Sequence, residues 1–408
     1  MATFTYDLAT TVGEREIVAI HPPDEPGPYP AEVRHRIRRD VQTDYVYAAQ
    51  ALNECGVDVV SVQFEPEIWG GEDGAYVLDF VEALRVPYVV TLHSVSKAAT
   101  AVQKRILSQL VAGAGASVVM SKSAAKVLAR SCDVEPDSIE IVPYGVSDLP
   151  LAQPDTYKQR LGLQGKPIVL SFGLLTPDKG FESVIEAMAQ VVRTVPSARY
   201  VILGATSPET VRADGEAYRA ALEARVTKLK LTENVKFVDR FVGRVELHTW
   251  LEAADVFVAA SANLVRTVSG TLASAMGAGK AIVSTGSAYA TEQLANGTGR
   301  LVDAGSVESL AGAITEILGD SELRGSMGRQ AYERSRGMVW WEVGRQYREV
   351  FQRAVGGSGG GSVSRARGRL TGTQGSTKAR SAVENGRQPL SNGRPPVSNG
   401  RDPRAVIA

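Results

Sequence analysis

The sequence has little that could staple it, span a membrane or hold a metal. Its 408 residues include two cysteines, Cys55 and Cys132, and four histidines. Two cysteines cannot form a disulfide framework for a chain this long, and with the scattered histidines they match no zinc-ligand spacing. Both cysteines read as small buried hydrophobes in a reducing compartment. No apolar run approaches the roughly 18 residues a membrane helix needs. No basic segment followed by a long apolar one opens the chain, so a cytoplasmic setting is expected. Apolar residues make up 44% and charged residues 22%, which excludes wholesale disorder. The formal net charge is zero, and no nucleic-acid partner is expected.

That zero conceals a split. Residues 356–408 carry nine basic and two acidic side chains, whereas the preceding 355 carry 36 basic and 43 acidic ones. The last segment opens on a Gly/Ser linker and repeats Asn-Gly-Arg at 385–387, 392–394 and 399–401. It has no aromatic residue and too little aliphatic surface to offset the entropy of ordering. It reads as a disordered, solvated Gly/Ser/Arg-rich tail, and the functional alternative is a weak peripheral contact to an anionic membrane surface or polymer. Deleting it is expected to leave the melting temperature and soluble activity nearly unchanged.

Before the tail, short β-type runs alternate with longer helical patterns. The first series of runs is 16–20, 57–62, 87–92, 116–120 and 139–142. The second is 168–172, 200–203, 235–238, 256–260, 281–285 and 300–302. Continuous Val/Ile/Leu strands alternating with helices predict parallel sheets covered on both faces. Two such series predict an α/β chain of two Rossmann-like, doubly wound domains facing a cleft, at 1–150 and 151–337. A helix at 338–355 and the tail at 356–408 follow. Ligands of such sheets bind at the carboxyl ends of the strands, so the residues just after each run carry the functional reading.

Four places stand out. In Gly173-Leu174-Leu175-Thr176-Pro177-Asp178-Lys179-Gly180 a strand gives way to a glycine turn and then a helix. Lys179 stands at the helix start, where the macrodipole favours anions. It is not a Walker loop, because Gly-x4-Gly-Lys-Ser/Thr is absent. The second place is Ser269-Gly270-Thr271, where Ser269 reads as an N-cap and Gly270 lets a ligand approach the backbone; Ser274 lies one turn on. The third is Gln63-Phe64-Glu65 with Gly70 and Gly71. The fourth is His93, directly after a strand; His21, His35 and His248 read as surface or loop positions. A Gly-x-Ser-x-Gly elbow with a triad and a Gly-x-Gly-x-x-Gly nicotinamide loop are both missing. Each place also has a plainer reading: a solvated loop lysine, close helix packing, a polar turn and a structural histidine.

Together these residues resemble the retaining, nucleotide-sugar-dependent glycosyltransferases of family 4, the group 1 glycosyl transferases with the GT-B fold. The likeness runs from Ala2 to about Arg353. It rests on the Gly173…Lys179-Gly180 turn, Ala254-Asp255-Val256-Phe257-Val258, Ser274-Ala275-Met276-Gly277-Ala278-Gly279-Lys280, and Glu292 followed by Gly297-Thr298-Gly299-Arg300. In the first half it rests on Gln63-Phe64-Glu65, Thr91-Leu92-His93 and Pro143-Tyr144-Gly145-Val146.

The resemblance implies a hexosyl transfer from a nucleotide sugar to a sugar, lipid or small-molecule acceptor, with no metal or other cofactor. Lys179 and His93 would be catalytic. Gly173, Lys179, Arg266, Ser269, Gly270, Ser274 and Glu292 would hold the donor, and Glu65, Gly70 and Gly71 would stand on the acceptor side. The helix at Trp340-Trp341 would cross back onto the first domain. Two departures matter: Arg266 and Ser274 stand where the family usually has paired glutamates, and Leu174 replaces a usual arginine. They keep open a catalytically weak or dead interaction subunit. A sugar phosphorylase or nucleotide-sugar epimerase on the same fold is the other alternative. A further expectation concerns Met1. The resembled subgroup has a strand and a glycine turn before the stretch that starts at Ala2. Lacking that central strand, the first sheet would expose unpaired backbone groups, which predicts a natural start upstream of Met1 or an unstable, inactive chain.

Overall fold

The computed structural model describes residues 2–13, 16–22, 27–151, 154–357 and 403–408. The first half runs α1 (Ala2–Val12), β1 (Ile17–His21), β2 (Val33–Arg38), α2 (Gln42–Glu54), β3 (Val59–Phe64), α3 (Tyr76–Ala83), β4 (Tyr88–Leu92), α4 (Ala101–Gly113), β5 (Ala116–Val119), α5 (Lys122–Cys132) and β6 (Ile139–Ile141). The second half begins with α6 (Pro154–Arg160), β7 (Ile168–Phe172), α7 (Phe181–Thr194), β8 (Arg199–Leu203), α8 (Pro208–Asp214), α9 (Ala217–Lys228), β9 (Val235–Val238) and α10 (Arg244–Ala253). It continues through β10 (Val256–Ala259), α11 (Gly270–Gly277), β11 (Ala281–Thr285), α12 (Ala288–Gln293), β12 (Arg300–Val302), α13 (Val307–Gly319) and α14 (Ser321–Arg334). Last come α15 (Trp340–Gly357) and β13 (Ala405–Ile407).

These elements form two parallel sheets, of seven and six strands. The second is ordered β12-β11-β10-β7-β8-β9, so its strand order reverses between β10 and β7. Every residue of the five-residue strand β4 is buried, as both-face coverage requires. On α7, Phe181, Val184, Ile185, Met188 and Val191 repeat at helical spacing and fill one buried face. The polar stretch between β8 and β9 forms two helices rather than one, because Gly215, at φ 58°, ends α8. β2 escapes a search for apolar runs: Val-Arg-His-Arg-Ile-Arg alternates, as a half-buried edge strand does.

The first sheet is ordered β2-β1-β13-β3-β4-β5-β6. Its central slot is thus filled from the far end of the chain. β13 pairs in parallel with β3 over Ala405–Ile407 and with β1 at Ile407. The Ala408 carbonyl accepts from Gln63 N at 2.7 Å, and Arg404 O accepts from Asp58 N at 2.8 Å. Val406 and Ile407 are at most 1% exposed. Two expectations are thereby corrected. Segment 356–408 is not wholly a coreless tail, since its last residues lie inside a sheet. The unpaired edges expected in the absence of a central strand are paired. The rest of the tail, 358–402, with its linker, its Asn-Gly-Arg repeat and the proposed membrane contact, lies outside the described residues.

The chain passes between the halves twice, and the passages lie side by side. Val146 pairs with Val339, with Val146 N on Met338 O at 2.8 Å and Trp340 N on Val146 O at 3.0 Å. Beyond this point α15 returns to the first sheet. There Val343, Tyr347, Val350 and Phe351 pack with Val59, Val89, Val118 and Ile407. The Tyr347 hydroxyl meets Thr91 Oγ1 at 3.0 Å.

Candidate active site

The residues flanking the reversal point of the second sheet build an anion-sized pocket. After β7, Gly173 adopts φ 112°, a conformation side chains rarely allow. A Cβ there would stand 3.2 Å from Lys179 Nζ and 3.3 Å from Thr271 Cγ2. Lys179 and the start of α11 therefore approach one another across Gly173. Ser269 caps α11 by accepting from Leu272 N. The N–H groups of this first turn are helix-terminal donors, and the helix dipole favours negative charge beside them. Gly270 lies so close to the Tyr144 ring that a Cβ would come within 2.6 Å of it.

The Lys179 ammonium folds back to donate to the Leu174 carbonyl. Burial, reinforced by the Arg266 charge, pulls its pKa down to about 8. Arg266 Nη2 donates to Asp178 Oδ2 at 3.0 Å. The pocket is thus lined by two cations, of which Arg266 is ion-paired with Asp178. Ser274 Oγ donates to the Gly270 carbonyl at 2.8 Å, within its own helix.

In front of this pocket lies an interdomain cleft of about 590 Å³, within the range of small-molecule sites. Gly173, Gly270, Thr271 and Ser274 face it from the second domain, and Phe4 and Asp7 from α1. Phe4 packs against His93, Trp340 and Tyr144, with ring centroids 4.9, 5.1 and 5.2 Å away. His93 stands behind Phe4. It is buried and donates through Nε2 to Gln63 Oε1 at 2.9 Å. Burial pulls its pKa down to about 3, so the ring is neutral at ordinary pH.

Other sequence-predicted residues are spread more widely. Glu65 lines a separate cavity of about 390 Å³ with Glu67 and Asp73. Its carboxylate accepts from Ser94 Oγ at 2.8 Å, and burial raises its pKa. Gly70 and Gly71 are packing positions outside both cavity linings. A Cβ on Gly70 would fall 1.8 Å from the Arg39 carbonyl, and one on Gly71 2.8 Å from the Tyr76 ring. Glu292 turns away from the anion pocket to the other domain. Its carboxylate accepts from Lys122 N at 2.9 Å and Ser123 N at 2.8 Å, at the start of α5.

Three cleft residues escaped the sequence reading. Asp7 is ion-paired with Arg244 across the domains. His248, expected at the surface, lines the cleft and meets Ser147 Oγ at 2.9 Å. None of the three directly follows an apolar run or falls in a glycine-containing turn. His21 is likewise not a surface residue; it is buried at the end of β1. Among the described residues no three His, Cys, Asp or Glu side chains cluster to hold a metal ion. No described helix is long and apolar enough to cross a membrane.

Two facing Rossmann-like domains with a cleft between them define the GT-B fold. Residues 154–334 match the family described as glycosyl transferases group 1, and residues 1–148 match glycosyltransferase family 4. The chain belongs to this family and is a glycosyltransferase. One relative is a D-inositol 3-phosphate glycosyltransferase of Corynebacterium glutamicum, 25% identical over 66% of this chain and 68% of its own. Another is a GDP-mannose-dependent alpha-(1-6)-phosphatidylinositol monomannoside mannosyltransferase of Mycolicibacterium smegmatis, 28% identical over 47% of this chain and 50% of its own. Among solved structures, sucrose-phosphate synthase from Thermosynechococcus elongatus superposes with a TM-score of 0.70 at 20% identity, covering 87% of this chain and 92% of its own. Anabaena HepE, in complex with UDP and glucose, gives 0.66 at 16%, covering 83% and 100%.

Proposed function

We infer that the protein transfers a hexose from a nucleotide sugar to an acceptor hydroxyl with retention of anomeric configuration. The observation that carries this reading is the meeting of Lys179 and the α11 start across Gly173. A departing nucleoside diphosphate gains negative charge as its bond to the sugar breaks, and fixed donors aimed at that charge lower the barrier. Lys179 exchanges its Leu174 carbonyl for a phosphate oxygen, Arg266 adds a second positive charge, and the first-turn N–H groups of α11 supply the rest. The cationic work falls to these side chains rather than to a metal.

The acceptor oxygen attacks from the face the diphosphate leaves. The bond from anomeric carbon to phosphate oxygen breaks, the new glycosidic bond forms, and the hydroxyl proton passes to the departing phosphate oxygen. No protein nucleophile is called for. Asp7, the carboxylate facing the cleft, is engaged by Arg244. Phe4 and Trp340 offer an apolar wall to the sugar, and His93, held neutral by burial, braces Phe4.

The test is a panel of UDP-, GDP- and ADP-sugars followed by NMR of the product. Donor-dependent transfer with the donor's own anomeric configuration is expected. An inverted product would overturn retention. Tight nucleotide binding with neither transfer nor donor hydrolysis would instead favour the interaction subunit, the reading that Arg266 at a usual glutamate position keeps open.

A further inference from the structure

Helix α4 separates two cavities of opposite character. One side of it walls the cavity with Glu65, Glu67 and Asp73. The other walls a cavity of about 470 Å³ whose lining includes Lys97, Lys104, Lys126 and Arg130 and no carboxylate. Lys126 and Arg130 lie four residues apart on α5, a spacing at which like charges repel. Among the described residues none of the four cations has an ion-pair partner, whereas Arg38, Arg240 and Arg345 each hold a carboxylate. The opposite wall comes from the second domain, through Thr267 and the exposed aliphatic side chains Leu264 and Val265. Arg266, between Val265 and Thr267, faces the other way, into the Lys179 pocket.

We propose that this cavity is a second anion site, which takes a phosphate-bearing ligand independently of the donor diphosphate. Four cations without a counter-ion are stabilised when an anion arrives, and phosphate is the anion lysine and arginine engage through several oxygens at once. The volume suits a phosphorylated small molecule or a phospholipid headgroup, and Leu264 and Val265 offer apolar contact beside it. The acidic cavity across α4 repels the same ligand, so charge directs it to one side of the helix.

The experiment uses the full chain carrying Lys179→Ala, which weakens the donor pocket. Inorganic pyrophosphate is titrated by calorimetry, and vesicles of phosphatidylglycerol in phosphatidylcholine are tested by flotation. Binding of at least one probe is expected, with a loss on the order of tenfold or more when Lys126→Glu and Arg130→Glu are added. Pyrophosphate binding alone identifies a soluble ligand, and vesicle binding identifies a headgroup. Arg212→Glu with Lys228→Glu, exposed positions elsewhere, makes the same change in net charge and is expected to keep the affinity. The proposal falls if neither probe binds, if Lys126→Glu/Arg130→Glu binds as well as its parent, or if the control pair loses as much.

Discussion

The two sheets share an architecture and differ in how the chain supplies them. The second takes all six strands from one stretch, Ile168 to Val302. The first takes six strands from Ile17 to Ile141, its seventh from Ala405–Ile407, and part of its cover from α15. Ordering by local connection makes a domain that can assemble from its own segment. Ordering by remote parts makes a domain whose integrity depends on residues hundreds of positions away.

Removing 403–408 tests that dependence most severely. It strips β3 and β1 of their central partner and exposes buried surface around Val406 and Ile407. With about 1–3 kcal/mol for each unsatisfied group, the loss should exceed about 5 kcal/mol and consume most of a typical stability. Hydrogen exchange should show the first sheet opening while the second stays protected. Equal protection in both would break the contrast.

A comparable wound in the second domain should be smaller. Lys158 Nζ lies 2.7 Å from Asp255 Oδ2, both side chains 8% exposed, and that oxygen also accepts from Ile168 N. Lys158→Met removes the nearer cation from a buried carboxylate, leaving only Arg324 Nε at 3.9 Å, and should cost up to about 3–5 kcal/mol. Thermal denaturation would read it, and a change below about 1 kcal/mol would show that the pair adds nothing.

Lys179→Ala touches chemistry rather than fold. Nucleoside-diphosphate binding should weaken by about 1.5–3 kcal/mol, the worth of a charge-assisted hydrogen bond, with the melting temperature of the free protein little changed. With a pKa near 8 in the empty pocket, Lys179 loses its proton as pH rises past 8. An anion favours the charged form, so binding near pH 8.5 should draw a proton from the buffer and weaken at higher pH. Calorimetry in buffers of different ionisation enthalpy would detect that proton; none taken up would remove Lys179 from the contact.

At neutral pH the smallest effect belongs to His93, whose contribution appears only in acid. Its folded pKa, about 3, lies below the ordinary 6.5. The unfolded chain therefore binds the proton first, and stability is complete above about 6.5 and falls as pH drops toward 3. His93→Gln should flatten that limb of the stability curve while leaving neutral-pH stability nearly alone. An unchanged acid limb would show that His93 is not the group responsible.

The same contrast governs what the sequence made legible. All six strands of the second sheet coincide with runs seen in the sequence. The four inner ones are apolar because buried parallel strands are covered on both faces, and the edge strands β9 and β12 keep short Val/Phe/Leu runs beside exposed Lys236 and Arg300. Lys179 could be singled out because its turn follows such a run, and Ser269 because it reads as the cap of the next helix. β2 was missed because its arginines alternate with its apolar residues at a sheet edge. β13 was missed because Ala-Val-Ile in a basic, proline-containing segment has neither length nor period; only the empty slot gives it meaning. Gly70 and Gly71 carried a site-like pattern, but the Arg39 carbonyl and the Tyr76 ring explain them by packing. Glu292 matched a motif, but local sequence cannot show that its carboxylate reaches α5.

The late position of β13 has a consequence for biosynthesis. Synthesis runs from the amino end, so the second domain can complete its sheet while the first still waits for its central strand. β3 leaves the ribosome more than 340 residues before its partner, an extreme of the non-local pairing that slows folding and leaves strand edges open to aggregation. A nascent chain stalled after residue 357 should be cut by protease within residues 1–150 and protected within 168–302. Release of the full chain should close the first sheet last, reversing the amino-to-carboxyl order in which domains usually fold.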